Sequence, residues 1–189
     1  GQKEVVYVSS GEGATSQGEF HEALNLSSLW GLPVLFILEN NLYGMGTHVD
    51  QTHAGGRDIY LAAEAYKIPA AQIDGMDLIG VKDAVAESLV RIRSGRGPIF
   101  LEAMAYRFRG HSMADPSDYR TQEEVTSWNN KDPIRIFSEN ALNQGLLTKA
   151  QIDAVELEID GRVSEAIRFA EVSETPDRAT LYDNIYSSG

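Results

Sequence analysis

The chain contains no cysteine. That excludes disulfide staples and thiolate metal sites, and it fits a reducing compartment. Nor is there an apolar run approaching the roughly 18–20 residues needed to span a bilayer, so no membrane role is expected. No stretch has the make-up of a secretory signal. Basic residues are scarce: 16 Lys and Arg stand against 28 Asp and Glu, a net charge of −12. Without a basic face, nucleic acid is not an expected partner. The surplus carboxylates read as a solvated surface. What remains is an ordinary globular composition, 42% hydrophobic and 23% charged over 189 residues, enough for one domain with a real core. The first residue is Gly1 rather than Met, and a strand-like run follows almost at once. The chain is therefore expected to be a piece of a longer protein.

Hydrophobic patterning predicts an α/β fold: a parallel sheet with helices on both faces, and a helical C-terminal part. Val5-Val6-Tyr7-Val8 is an apolar, β-branched run of the kind expected in a buried parallel strand. It ends in Ser9-Ser10-Gly11. Residues 16–30 carry Phe20, Ala23, Leu24 and Ser27 at helical spacing, stopped by Gly31 and Pro33. Val34 to Leu38 is a second strand, which completes a βαβ unit. A helix over 59–66, a short strand over 70–73, a helix with Leu78, Val81, Val85, Leu89 and Ile92 on one face, and a strand over 99–105 continue the alternation. Residues 1–106 thus form the α/β core of one domain spanning 1–189. Residues 107–120 are polar and rich in Gly, Pro, Asp and Ser, a long loop of the sort that carries function. In the helical part, 121–189, Thr148 and Gln151 make a capping box. Ile152, Val155, Ile159, Val163 and Ile167 then line one face, expected to be core or subunit contact.

Gly11-Glu12-Gly13-Ala14 lies where the first strand hands over to a helix. Glycines there admit unusual backbone conformations and let a phosphate come close, and the helix start offers free N–H groups. A carboxylate in such a turn repels the anion unless a cation stands between them, which makes Glu12 a candidate Mg2+ ligand. Asn40-Asn41 ends the next strand on the same edge of the sheet, where ligands of open α/β sheets bind. Asn41 would supply a carbonyl oxygen to the same ion, and Tyr43 its backbone carbonyl. His48 and His53 lack a third ligand and are read as ordinary loop residues.

A Gly-acidic-Gly turn followed by Asn-Asn, here with 26 residues between Gly13 and Asn40, resembles the thiamine-diphosphate motif. Gly13-Ala14-Thr15-Ser16-Gln17-Gly18-Glu19-Phe20-His21-Glu22-Ala23-Leu24-Asn25 resembles the alpha subunits of pyruvate dehydrogenase and related 2-oxo-acid dehydrogenases. So do Glu39-Asn40-Asn41-Leu42-Tyr43-Gly44-Met45-Gly46-Thr47 and the loop Arg107-Phe108-Arg109-Gly110-His111-Ser112-Met113-Ala114-Asp115-Pro116. Lys131-Asp132-Pro133-Ile134 and Leu181-Tyr182 extend the likeness over nearly the whole chain. One position departs: the family usually has Asp where this chain has Glu12. Glutamate is one methylene longer, and Mg2+ tolerates little deviation from about 2.0–2.1 Å.

The resemblance implies a thiamine-diphosphate-binding fold, thiamine diphosphate and Mg2+ as cofactors, and oxidative decarboxylation of pyruvate. Glu12, Asn41 and Tyr43 would hold the metal, and Glu12, Gly13, Ala14, Asn41 and His111 the cofactor. His111 would be the catalytic residue, a histidine able to exchange protons near neutral pH. Arg107 would reach phosphate or anchor the loop. Ser112 matches a serine that kinases phosphorylate in some relatives, and is read as unmodified here. The implied partners are a beta subunit in an alpha2-beta2 assembly, which supplies the activating glutamate, and a lipoyl-bearing acyltransferase. The implied compartment is a bacterial-type cytoplasm, with the mitochondrial matrix left open. Alternatives are an alpha subunit acting on branched-chain 2-oxo acids or acetoin, and a non-catalytic relative in which Glu12 marks a lost metal site. A generic nucleotide-binding domain would leave Asn40-Asn41 and the His111 loop without a purpose.

Overall fold

Val34 to Leu38 is apolar on both alternating faces, and the strand it opens lies inside the sheet, between two others. In the computed structural model, which describes residues 4–183 and 185, the elements in chain order are β1 (Val6–Gly11), α1 (Gly18–Leu29), β2 (Val34–Asn40), β3 (Tyr43–Gly44), β4 (Thr47–His48), α2 (Val49–Thr52), α3 (Leu61–Glu64), β5 (Ala70–Asp74), α4 (Leu78–Arg93), β6 (Ile99–Met104), α5 (Gln122–Asn129), α6 (Pro133–Asn143) and α7 (Lys149–Val172). Short 3-10 turns occupy Glu12–Ser16 and Arg178–Tyr182. The chain divides into two compact units, Gly1–Phe137 and Ser138–Gly189.

In the first unit, β1-β2-β6-β5 form a four-stranded parallel sheet. Side chains of β2 point alternately to its two faces, as a period of two requires. Val34, Phe36 and Leu38 join Leu24 of α1, Phe100 and Tyr106 in one cluster. Leu35 and Ile37 join Ile92 and its neighbours on α4, with Ile99 and Leu101, in the other. Helices therefore cover both faces of an α/β sheet, as the patterning predicted. The carboxyl ends of β1 and β2 lie side by side, with Gly11 paired to Glu39, and this brings the two candidate ligand turns together.

Three expectations need correction. Val6, Tyr7 and Val8 are exposed, at 56%, 59% and 37%: among the described residues β1 is an edge strand paired only with β2, so its apolar side chains are not buried as a central strand's would be. The helix expected over 16–30 starts at Gly18, because the 3-10 turn Glu12–Ser16 and an extended Gln17 come first. The helix expected over 59–66 is one turn, Leu61–Glu64, ending before Lys67 takes φ +59°. In the second unit, Thr148 and Gln151 cap α7 reciprocally as expected. The helix also carries exposed i,i+4 pairs, Lys149–Asp153 and Arg162–Glu158. Its stripe is not core, for Val155, Ile159, Val163 and Ile167 are each about half exposed.

Candidate active site

The two turns predicted to share a metal meet at the sheet's carboxyl edge. Glu12 opens the 3-10 turn after β1 and is only 4% exposed. Thr15, also buried, donates its hydroxyl to the Glu12 carbonyl at 2.6 Å and so closes that turn. The Glu12 carboxylate points to the end of β2. There Oε2 accepts the Asn41 backbone N–H at 3.2 Å and the Asn41 side-chain amide at 3.1 Å. Among the described residues it has no cationic partner. A buried carboxylate held by neutral donors alone is costly, and this is the environment a bound cation would relieve. The donor set, one carboxylate with nearby amide and peptide oxygens, is that of a hard divalent ion.

Asn41 turns its amide nitrogen to Glu12, while its Oδ1 accepts from the Tyr43 N–H at 3.3 Å. Gly11 has φ −89°, and neither Gly11 nor Gly13 has a positive φ. The glycines therefore do not serve the unusual backbone conformations expected of them. Nor does the fold crowd them: a methyl group on Gly13 would come no nearer than 3.8 Å, to the Gly44 Cα, and one on Gly11 would meet nothing within 4 Å. The space over Gly13 and the exposed Ala14 suits the approach of a ligand.

Backbone strain follows Asn41. Leu42 has φ +73° and Met45 φ +56°, a region costly for residues other than glycine. Arg107 braces this segment from the far loop. Its guanidinium donates to the carbonyls of Met45 at 2.6 Å, Tyr43 at 3.4 Å and Arg109 at 3.3 Å, and to the Tyr119 hydroxyl at 2.8 Å. Of the two roles open to Arg107, anchoring the loop is the one these bonds display. The Tyr43 carbonyl accepts one bond and retains a second lone pair. The Tyr43 ring is buried and its hydroxyl donates to Glu124 at 3.0 Å. Burial first, and then the Glu124 carboxylate, push its pKa up to about 12.

His111 sits in the irregular segment 107–120, exposed, with Nδ1 3.3 Å from Arg107 Nη1. Arginine can only donate, so Nδ1 accepts and the neutral ring carries its proton on Nε2. The His111 N–H donates to Asp115 Oδ2 at 2.6 Å. Asp115 also accepts from Ser117 N and the Tyr119 hydroxyl, and these bonds hold its carboxyl low, at about 2. Ser112 is exposed and Met113 is 99% exposed. His48 and His53 serve turns, their Nδ1 atoms accepting from Asp50 N and Gly55 N. Glu12, Asn41, Tyr43, Arg107 and His111 are thus linked through successive polar contacts.

One residue escaped the sequence reading. Glu102, in the middle of β6, is fully buried and accepts from the Asn40 side chain at 2.7 Å. A lone glutamate inside Ile99-Phe100-Leu101-Glu102-Ala103-Met104 was the available signal, since a buried acid must have partners.

A profile of the dehydrogenase E1 component family matches residues 1–179. The chain belongs to that family. Among its relatives, the pyruvate dehydrogenase E1 component subunit alpha of Rickettsia felis is 38% identical over 186 residues, 98% of this chain and 57% of that protein. Its counterpart in Rhizobium meliloti is 39% identical over 176 residues, 93% and 50%. The mitochondrial somatic form of Homo sapiens is 38% identical over 190 residues, 100% and 48%. This E1 chain therefore spans about half the length of the curated relatives it matches. Among its described residues no helix is long and apolar enough to cross a membrane.

Proposed function

We propose that this chain is the metal- and diphosphate-binding part of a pyruvate dehydrogenase alpha subunit. One observation carries the reading. The buried carboxylate of Glu12, without a cation of its own among the described residues, faces Asn41 and the Tyr43 segment at the carboxyl edge of a parallel sheet. Mg2+ would be held by Glu12, the Asn41 side-chain oxygen and the Tyr43 backbone carbonyl. An amide presents oxygen or nitrogen on one side by a half-turn of the side chain, and a cation between Glu12 and Asn41 selects the oxygen. Diphosphate oxygens would lie over Gly13 and Ala14, facing the N–H groups of the 3-10 turn.

Bound there, thiamine diphosphate would supply the nucleophilic carbon and the electron sink for decarboxylating a 2-oxo acid. The chain's own residues orient and neutralise. Glu12 would balance part of the charge that Mg2+ brings. Arg107, through the Tyr43 and Met45 carbonyls, keeps the metal-side loop in its strained shape. Arg107 also fixes His111 with the proton on Nε2, from which it would donate to an anionic oxygen of a bound substrate. The relatives' names carry the substrate assignment, pyruvate, and a subunit-alpha role implies a beta subunit, expected as alpha2-beta2. The acyl group would pass to a lipoyl-bearing acyltransferase. A bacterial-type cytoplasm or a mitochondrial matrix suits all of these.

The test is calorimetric titration of thiamine diphosphate into the full-length alpha subunit assembled with its beta partner, with and without Mg2+. Binding that requires Mg2+ and is abolished by Glu12→Ala is the expected result. Binding indifferent to both would refute the site. Activity that rises from near zero only in Glu12→Asp would mark the native site as degenerate.

A further inference from the structure

Asn40 and Asn41 are adjacent and identical, yet they face different partners. Asn41 meets Glu12, whereas Asn40 is fully buried with no access to a ligand. Asn40 is gripped by the β6 segment at two points. Its carbonyl accepts the Ala105 N–H at 2.9 Å, and its side-chain nitrogen donates to Glu102 Oε1 at 2.7 Å. Its side-chain oxygen, Oδ1, accepts the Leu42 N–H at 3.1 Å. Leu42 is the residue at φ +73°, lying between Asn41 and Tyr43, the two residues whose oxygens the metal would use. Glu102 is itself fixed from the other side, for Oε2 accepts the Tyr60 N–H at 2.9 Å and the Gln72 amide at 3.4 Å.

We propose that Glu102 is a positioning residue for the metal site, acting through Asn40 to hold Leu42 left-handed and so to aim the Asn41 and Tyr43 oxygens. The proposal rests on the Mg2+ and thiamine diphosphate reading of the Glu12–Asn41 site. The physical case is one of polarity. The relay Tyr60 N–H to Glu102, Asn40 amide to Glu102, Leu42 N–H to Asn40 admits only one arrangement of donors and acceptors. If residue 102 cannot accept from Asn40, then Asn40 must turn over. Its NH2 group then faces the Leu42 N–H, donor against donor, in a buried place where an unmade bond is expensive. Leu42, deprived of the bond that offsets its positive φ, relaxes and carries its neighbours with it. Glu102 bonds to Asn40, Tyr60 and Gln72 and not to Glu12, Asn41 or Tyr43, so it would act on the site through this relay.

The same logic supplies a test that separates positioning from mere stability. With the amide oxygen kept on the Tyr60 N–H and the Gln72 amide, which together supply two donors, Glu102→Gln alone puts a donor where Asn40 already donates. Asn40→Asp alone sets two carboxylates against each other in a buried position. Together, N40D/E102Q restores every bond with one polarity reversed. The amide placed at position 102 donates to the carboxylate placed at position 40, and its oxygen accepts the Tyr60 N–H. The second oxygen of that carboxylate still accepts the Leu42 N–H. The experiment uses the full-length alpha subunit assembled with its beta partner. It measures thiamine diphosphate affinity in Mg2+ by calorimetry, and amide exchange over residues 40–46 without cofactor. Each single variant should weaken binding about tenfold or more, as loss of a supporting bond behind a metal ligand does. Each should also speed exchange at the Leu42 amide, and the double variant should return affinity to within about threefold of wild type.

A single variant that melts earlier yet binds with wild-type affinity overturns the proposal. So does a double variant no better than the singles, or one that neither assembles nor binds. Wild-type exchange as fast over 40–46 as in an exposed loop overturns it without any variant. If the wild-type assembly shows no Mg2+-dependent binding, the cofactor reading falls first and takes this proposal with it. Failure of the relay alone leaves wild-type binding intact.

Discussion

Tyr119 donates its hydroxyl proton to Asp115 at 2.6 Å while accepting from Arg107 at 2.8 Å. The ring lies across the two ends of the His111 loop like a crossbar, because Arg107 also holds the Tyr43 and Met45 carbonyls and Asp115 holds the His111 N–H. One partly exposed carboxylate, supplied with three donors, thus ties the loop to the segment bearing the candidate metal ligands.

Asp115→Asn should leave the melting temperature of the assembled protein nearly unchanged, since the residue lies outside both hydrophobic clusters. It should speed amide exchange at His111 and Ser117 severalfold, read by hydrogen exchange. The pH dependence has a defined sign. Asp115 is held at about 2 against an ordinary 3.8, by Tyr119 first and then by the His111 and Ser117 N–H groups. A depressed carboxyl contributes order that is fully present above the ordinary value and is lost as pH falls from about 3.8 through about 2. Loop protection that decayed already between pH 6 and 5 would contradict this.

Tyr43 moves the other way. Burial and Glu124 raise its hydroxyl from 10 to about 12, so the folded state prefers the neutral phenol. That preference stabilises the protein below pH 10 and is lost as pH rises from about 10 through about 12. Burial also raises the Tyr106 pKa, so difference absorbance at alkaline pH should show late tyrosine ionisation that Tyr43→Phe diminishes by the Tyr43 contribution. Loss of the Glu124 bond should cost about 1 kcal/mol in denaturant titration.

Gly13→Ala separates folding from binding. There is room for a methyl group at Gly13 and no positive φ to oppose it. Stability should therefore stay within about 0.5 kcal/mol of wild type. Mg2+-dependent thiamine diphosphate affinity, measured by calorimetry, should fall, since the added carbon occupies the ligand's approach. An alanine variant that binds normally would move the diphosphate elsewhere.

Leu38→Ala and Leu35→Ala both empty a buried position, and each should cost about 2–5 kcal/mol in urea unfolding. Only Leu38 shares its cluster with Leu42 and Tyr43, whereas Leu35 packs toward α4. Cofactor affinity should fall further for Leu38→Ala than for Leu35→Ala at matched stability.

Alternation of apolar strands with helices was legible because β2 and β6 are nearly continuous apolar runs, as strands covered on both faces are. The pairing of Glu12 with Asn41 was legible because both end adjacent strands. β1 misled, since an edge strand and a central one share the same run of Val and Tyr, and only strand order distinguishes them. The short α3 was lengthened because helical spacing does not show where Lys67 turns left-handed. Glu102 was missed because its role depends on a partner 62 residues away. Arg107 remained ambiguous because one guanidinium suits a phosphate and a carbonyl equally well, and only the fold reveals which acceptors are near.

The absence of side chains on Gly13 and Gly44, which face each other, has a meaning for selectivity. Where two turns face each other with no side chain between them, an arriving molecule would meet peptide groups and one acidic side chain, features that any metal-bound diphosphate satisfies. If the proposed site is right, this floor would grip what many cofactors share. Discrimination among them must be exercised on the parts of the molecule that extend away from it.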